Sequence, residues 1–224
     1  MNILAIETSS LQGTLALQVR GEISQVELPE QKQQIVQILP LIDRLLGNHG
    51  LVPANLDLLA FSAGPGSFTG VRVALGIIQG LALATQLPAV SLSSLKILAS
   101  TARRLQQYEK ILCCVNAYMY EIYVGGYQVG IDGQLKSTFS ERIVPVVEIP
   151  VLSAVDYYMV GDAWQVYDEV NEIKGITIDK NILFPQAYDM LNLAHSAYHA
   201  GDVMAAENIS AYYLRGKSAW QKTS

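Results

Sequence analysis

Residues 62–84 read SAGPGSFTGVRVALGIIQGLALA. Glycine and proline crowd the first nine positions, and a nearly uncharged run follows. Gly64, Gly66 and Gly70 offer backbone conformations closed to other residues, and Pro65 stiffens the turn. Ser67 or Thr69 is placed to cap a helix, whose free N–H groups would suit an anion. A phosphate loop, GxxxxGK[ST], needs a lysine, however, and the nearest cation is Arg72, inside the helix. The glycine spacing is GxGxxxG, not the dinucleotide fingerprint GxGxxG. From Val71 to Leu87 the one formal charge is Arg72, and Gln79 and Gln86 are nearly the only other polar side chains. So apolar a helix cannot show a wide face to water. Gly76, Gly80 and Ala84 recur every four residues and form a smooth ridge. Either the rest of the chain covers that ridge or another chain does, and periodicity leaves both open.

Working outward, residues 2–7 (NILAIE) have the β-branched apolar profile of a strand buried on both faces. A turn near residues 8–13 and strands over 14–20 and 23–28 predict a three-strand antiparallel start. Ile35, Ile38, Leu39, Ile42, Leu45 and Leu46 then recur at three and four residues. That spacing predicts a helix over 31–46 with one apolar face, kinked at Pro40 and ended by Gly47, Asn48 and Gly50. A strand over 56–63 leads into the opening motif and a helix over 68–87. A short strand over 89–92 and a helix over 93–107 follow, with Ser93 or Ser94 as its cap. This alternation means α/β layering with a mostly parallel portion.

A composition shift at 105–110 marks a boundary. Beyond it come strands over 111–115, 121–127, 135–141 and 155–160, a helix over 188–200 and a last strand over 209–214. The plan of strands first and helices after thus appears twice. It predicts a first lobe over 1–107 and a second over 108–224, with the late helix, about 188–200, packing back on the first.

The chain has 224 residues, 50% hydrophobic and 16% charged, with a net charge of −5. That is enough to bury a core in one domain or two small ones, and it gives no global attraction for nucleic acid. Cys113 and Cys114 are the only cysteines and are adjacent in an apolar run, so no zinc ligand spacing or disulfide framework exists. The N-terminus lacks a basic region and a long apolar core, and residues 71–84 are too short to span a membrane. A cytoplasmic protein is expected.

Catalytic constellations are thin. His195 and His199 stand i, i+4, so both rings could face one metal, but no HExxH or cysteine completes a set, and two ordinary helix histidines are expected. GxSxG is absent, and Ser67 lies in a different turn. Glu7 ends the first strand without recognisable partner carboxylates. Tyr118 and Tyr120 are expected on one side of a strand with Tyr123 on the other, as sheet packing or an interface patch. Arg215, Lys217 and Lys222 surround Trp220 in a small basic–aromatic tail, suited to RNA, to an acidic partner or merely to solvent.

Three segments, ILAIETSS (3–10), AGPGSFTGVRVALGIIQGLALATQLP (63–88) and YLRGKSAWQK (213–222), resemble the bacterial family of tRNA threonylcarbamoyladenosine biosynthesis proteins TsaB, also called YeaZ. ILP (38–40), MYEIY (119–123) and VGDAW (160–164) support the likeness. The resemblance implies an actin-like ATPase fold (the sugar-kinase and Hsp70 type) of two RNase H-like lobes with mixed sheets flanked by helices. It implies no catalytic residue, metal or cofactor, and no peptidase machinery. The expected role is that of an accessory subunit for the transferase TsaD, with the ATPase TsaE joining, in making N6-threonylcarbamoyladenosine at position 37 of tRNAs that read A-starting codons. Homodimers are expected of the chain alone, tRNA contact mainly through the complex, and no membrane. An autonomous actin-like ATPase is the alternative.

The resemblance puts the pairing surface on the first two helices, at Ile35, Ile38, Leu39, Ile42, Phe68, Val71, Arg72, Leu75, Gly76, Gln79, Gly80 and Leu83. A vestigial ligand cleft would comprise Glu7, Thr8, Ser9, Gly64, Gly66 and Ser67. Departures cluster nearby. NAYMYEIY stands where relatives commonly read DARMGEVY, so Asn116, Tyr118 and Tyr120 replace an acid, an arginine and a glycine. Ala63 and Gln34 replace a frequent arginine and histidine, and Glu7 a usual aspartate.

Overall fold

The computed structural model describes residues 1–29, 31–152, 156–173 and 175–214. β1 (Ile3–Glu7), β2 (Thr14–Val19) and β3 (Glu22–Glu27) form an antiparallel meander. Arg20 and Gly21, with φ of 51° and 92°, close its second hairpin as a two-residue turn with both centres left-handed. α1 (Gln31–Gly47) leads to β4 (Leu58–Gly64), which lies parallel to β1. α2 (Phe68–Thr85), β5 (Ala89–Ser93) and α3 (Ser94–Gln106) complete this part. The sheet order is β3-β2-β1-β4-β5.

The second sheet repeats that order in mirror listing. β6 (Lys110–Asn116), β7 (Glu121–Val129) and β8 (Leu135–Pro145) are antiparallel, and β9 (Tyr157–Val160) runs parallel to β6. The short α4 (Ala163–Val166) and α5 (Asp168–Asn171) precede β10 (Ile176–Ile178), giving β10-β9-β6-β7-β8. Two mixed sheets of one topology, each flanked by helices, are the two-lobed, RNase H-like arrangement of the actin-like fold. α6 (Ala187–Ala200) returns to the first sheet.

Alternation along β1 and β4 sorts the layers. Leu4, Ile6, Leu59 and Phe61 meet Ile38, Ile42 and Leu46 of α1 and Ala74, Ile78 and Ala82 of α2. Ile3, Ala5, Leu58 and Ala60 meet Met190, Leu191 and Ala194 of α6 on the opposite face. Buried Asp189 anchors α6 to α3, accepting from Arg104 Nε and Thr101 Oγ1, each at 2.8 Å. α3 also packs on the second sheet through Leu95, Leu98 and Ala102, so it is the shared wall between the lobes.

Two expectations need correction. Residues 209–214 form no strand; there Tyr212 N–H donates to Ala63 O at 2.8 Å, while the edge of β5 is covered by a single bridge from Met204 to Ala89. Tyr118 and Tyr120 are not strand residues either. With Met119 they form a turn in which all three have left-handed φ, 61°, 55° and 62°. Alternating apolar residues suggested strands in both places, but neither segment finds a partner with which to build a ladder.

Candidate functional site

The opening motif proves to be a clamp. Ser67 caps α2, its Oγ accepting from Gly70 N–H at 3.2 Å, while Ser67 N–H donates to Ser9 O at 2.7 Å. Thr8 Oγ1 donates to Gly70 O at 2.7 Å. A Cβ on Gly66 would stand 2.3 Å from Ser9 O, and one on Gly70 only 1.8 Å from Thr8 O. Glycine is needed because the turn lies flat on the loop after β1, and that loop takes Ser67 N–H, a group that a phosphate would otherwise use. Gly64, with φ of 102°, turns the chain out of β4.

Glu7 is fully buried beneath this clamp. Ser9 N–H donates to its Oε1 at 2.7 Å and Ser10 Oγ to Oε2 at 3.1 Å, and Ser9 Oγ also donates to Oε1. Burial raises its pKa to about 7, with the serine donors pulling the other way. The carboxyl thus serves the loop and does not face the cleft. The cleft itself, lined by Ser9, Gly66, Ser67, Ser94, Asn116 and Asp162 among others, is open and has a volume of about 30 Å³. Beside it a larger pocket of about 300 Å³ is walled by Phe68, Tyr118, Tyr123, Tyr212 and Tyr213.

Among the described residues no three His, Cys, Asp or Glu side chains are grouped to hold a metal. Cys113 and Cys114 are buried, and burial raises the pKa of both thiols, that of Cys114 to about 12, so neither forms a thiolate near neutral pH.

The outer side of α1 and α2 is different in kind. α2 is long and apolar enough to cross a membrane by length and composition, yet only 28% of its residues are buried. Its inner side, Val71, Ala74, Ile78 and Ala82, packs in the first lobe. Gly76 and Gly80 point outward, with nothing within 4 Å of where a Cβ would stand. Phe68 and Leu83 on α2 and Ile35, Val36 and Leu39 on α1 are exposed. Arg72 lies across the Phe68 ring, 3.2 Å from its centroid, and screens part of it. Leu75 and Gln79 are half-buried, and Gln79 Nε2 donates to Ala206 O at 3.2 Å. Ile38, Ile42 and Val71, expected on the pairing surface, are core residues instead. α1 is apolar on two adjoining stripes, and its sheet takes the 38/42/45/46 stripe, leaving 35/36/39 outside. Val36 was missed because only one stripe was read. Arg215, Lys217, Trp220 and Lys222 lie outside the described residues.

Comparison with known proteins gives the family. The family model described as "TsaD: tRNA N6-adenosine threonylcarbamoyltransferase" matches residues 28–213. A transferase of that name from Anaeromyxobacter is 31% identical, but over only 43% of this chain and 34% of its own length. The tRNA threonylcarbamoyladenosine biosynthesis protein TsaB of Haemophilus influenzae is 35% identical over 99% of this chain and 97% of its own; that of Escherichia coli K12 is 33% identical over 99% and 98%. The solved structure of YeaZ from Pseudomonas aeruginosa superposes with a TM-score of 0.85 at 34% identity, covering 95% of this chain and 99% of that one. The transferase family model spans most of the chain, the match to that one transferase is partial, and the likeness to the biosynthesis protein runs end to end: the chain belongs to the TsaB (YeaZ) family.

Proposed function

We propose that this chain is the non-catalytic partner subunit of a TsaD homologue, joined by a TsaE homologue, in transferring threonylcarbamoyl to N6 of adenosine 37 in tRNAs that read A-starting codons. The outward Gly76–Gly80 ridge carries the reading. It is bare at both glycines and flanked by exposed Ile35, Val36, Leu39, Phe68 and Leu83. Small residues let a partner helix approach closely, and the apolar flanks supply area that association removes from water. The end-to-end likeness to TsaB proteins supports the division of labour: the chain contributes surface and shape, and the transferase contributes chemistry. A net charge of −5 leaves tRNA binding to the complex as a whole. Alone in the cytoplasm the same ridge pairs two copies, so homodimer and heterodimer exclude one another.

Transfer to tRNA is measured with TsaD and TsaE homologues, with and without this chain. Product is expected only in the complete mixture, and equal product in both overturns the proposal. Gly76→Arg and Gly80→Arg sharpen the test, because a Cβ at either site meets nothing within 4 Å, and an unchanged Tm checks that each variant folds. Each is expected to weaken capture of the TsaD homologue by about tenfold or more, equivalent to about 1.4 kcal/mol.

A further inference from the structure

The third helical layer holds a feature that the partner role does not use. α6 turns Ala187, Met190, Leu191 and Ala194 into the core, which leaves His195 and His199 on its outer side, both exposed. Their Nε2 atoms lie 3.2 Å apart, with ring centroids at 4.3 Å and planes at 63°. Helical spacing alone brings i and i+4 rings near each other but leaves their direction open. Here the same nitrogen of each ring approaches the other to hydrogen-bonding distance, a separation that one shared ion can also span.

We infer that His195 and His199 form an open two-histidine site for a divalent transition-metal ion of the Zn²⁺, Ni²⁺ or Cu²⁺ class. An ion about 2.0–2.1 Å from each nitrogen, with an N–metal–N angle between square and tetrahedral, requires the nitrogens roughly 2.9–3.4 Å apart. The observed 3.2 Å falls inside that window, and with the ring centroids 4.3 Å apart a modest tilt of each ring aims both nitrogens at one ion. Imidazole nitrogen suits these borderline ions, whereas Mg²⁺ and Ca²⁺ demand oxygen donors. No third His, Cys, Asp or Glu joins the pair among the described residues, so water or a donor from another molecule fills the remaining positions. The site lies on the opposite face of the first sheet from α1 and α2, and it stands whether or not the partner role does.

The test is calorimetric titration of ZnCl₂, and separately NiCl₂, into tag-free, chelator-stripped chain. One ion per chain is expected. His195→Gln and His199→Gln should each weaken binding by about tenfold or more. His49→Gln alters the third and last histidine of the chain, which contacts Ser24 at 3.1 Å, and should leave binding unchanged. Because the chelate exists only when the helix is folded, the ion should raise the Tm of the parent and of His49→Gln but not of the other two. Matching metal-free Tm values establish that all variants fold. The inference is overturned if the parent shows no saturable binding below about millimolar ion, or if the double variant His195→Gln/His199→Gln binds as the parent does.

Discussion

Each lobe carries a central strand that pairs antiparallel on one side and parallel on the other, and the two strands end in opposite ways. β1 ends at Glu7, fully buried, and its loop is pressed under the Gly66–Gly70 turn. β6 ends at Asn116, whose N–H donates to Asp162 Oδ1 at 2.8 Å, and the loop after it is open to solvent. Tyr118, Met119 and Tyr120 there are at least half exposed and all left-handed. Where two backbones touch, only glycine fits. Where the loop is not pressed against another backbone, side chains persist at a conformational cost. Above β4 stands an 18-residue α2 with an open outer face, while after β9 come only the four-residue α4 and α5. One topology thus yields a lobe with an exposed apolar helix face and a lobe whose helices after the parallel strand are short.

The largest expected effect breaks the clamp. Gly70→Ala drives a Cβ into Thr8 O, and Gly161→Ala does the same to Cys114 O at 2.2 Å in the second lobe. Each should lower stability by about 3 kcal/mol or more in urea unfolding. Gly21→Ala, left-handed with nothing within 4 Å, should lose only about 1 kcal/mol. Equal losses at Gly21 and Gly70 would show that strain, not close approach, governs both turns.

Glu7 supplies the next contrast. Its carboxyl keeps its proton up to about pH 7 in the folded chain, against 4.5 for the ordinary value. The folded state therefore binds the extra proton between those values. Stability from this group is highest below pH 4.5 and falls as pH rises to 7, by about 3 kcal/mol in all. Urea titrations from pH 5 to 8 should show that fall in the parent but not in Glu7→Gln, and parallel profiles would refute the burial argument. Asn116, at the matching strand end, bears no charge and adds no such slope.

Asp189→Ala probes the tie of α6 to the first lobe. It removes the acceptor of Arg104 and Thr101, and because Arg104 remains one-third exposed the expected loss is about 2 kcal/mol. The smallest effect belongs to the open turn. Met119→Gly relieves one left-handed φ and should raise stability by up to about 1 kcal/mol. A loss instead would mean that the Met119 side chain holds the turn.

Long elements were legible because periodicity accumulates over many residues. β1, α1, α2 and α6 all stand close to where alternation or helical spacing puts them. α4, α5 and β10 span four, four and three residues, too few for any period to declare itself. Residues 209–214 had a strand's composition, yet composition cannot say whether a partner edge is free. For the site, GPGSFTG was visible as a turn, but its target, the Thr8 and Ser9 carbonyls, lies some sixty residues away and was not. The i, i+4 spacing of His195 and His199 was equally plain, while the direction of their nitrogens was not.

The sequence by itself determined the longer strands and helices, the repeated plan and the likeness to TsaB, since these rest on local propensity and on motif identity. Only the tertiary structure decided which α1 stripe faces water, that Glu7 is sealed, and that Gly76 and Gly80 look outward. Those outcomes depend on which surfaces the two sheets cover, and burial is a property of neighbours distant in the chain.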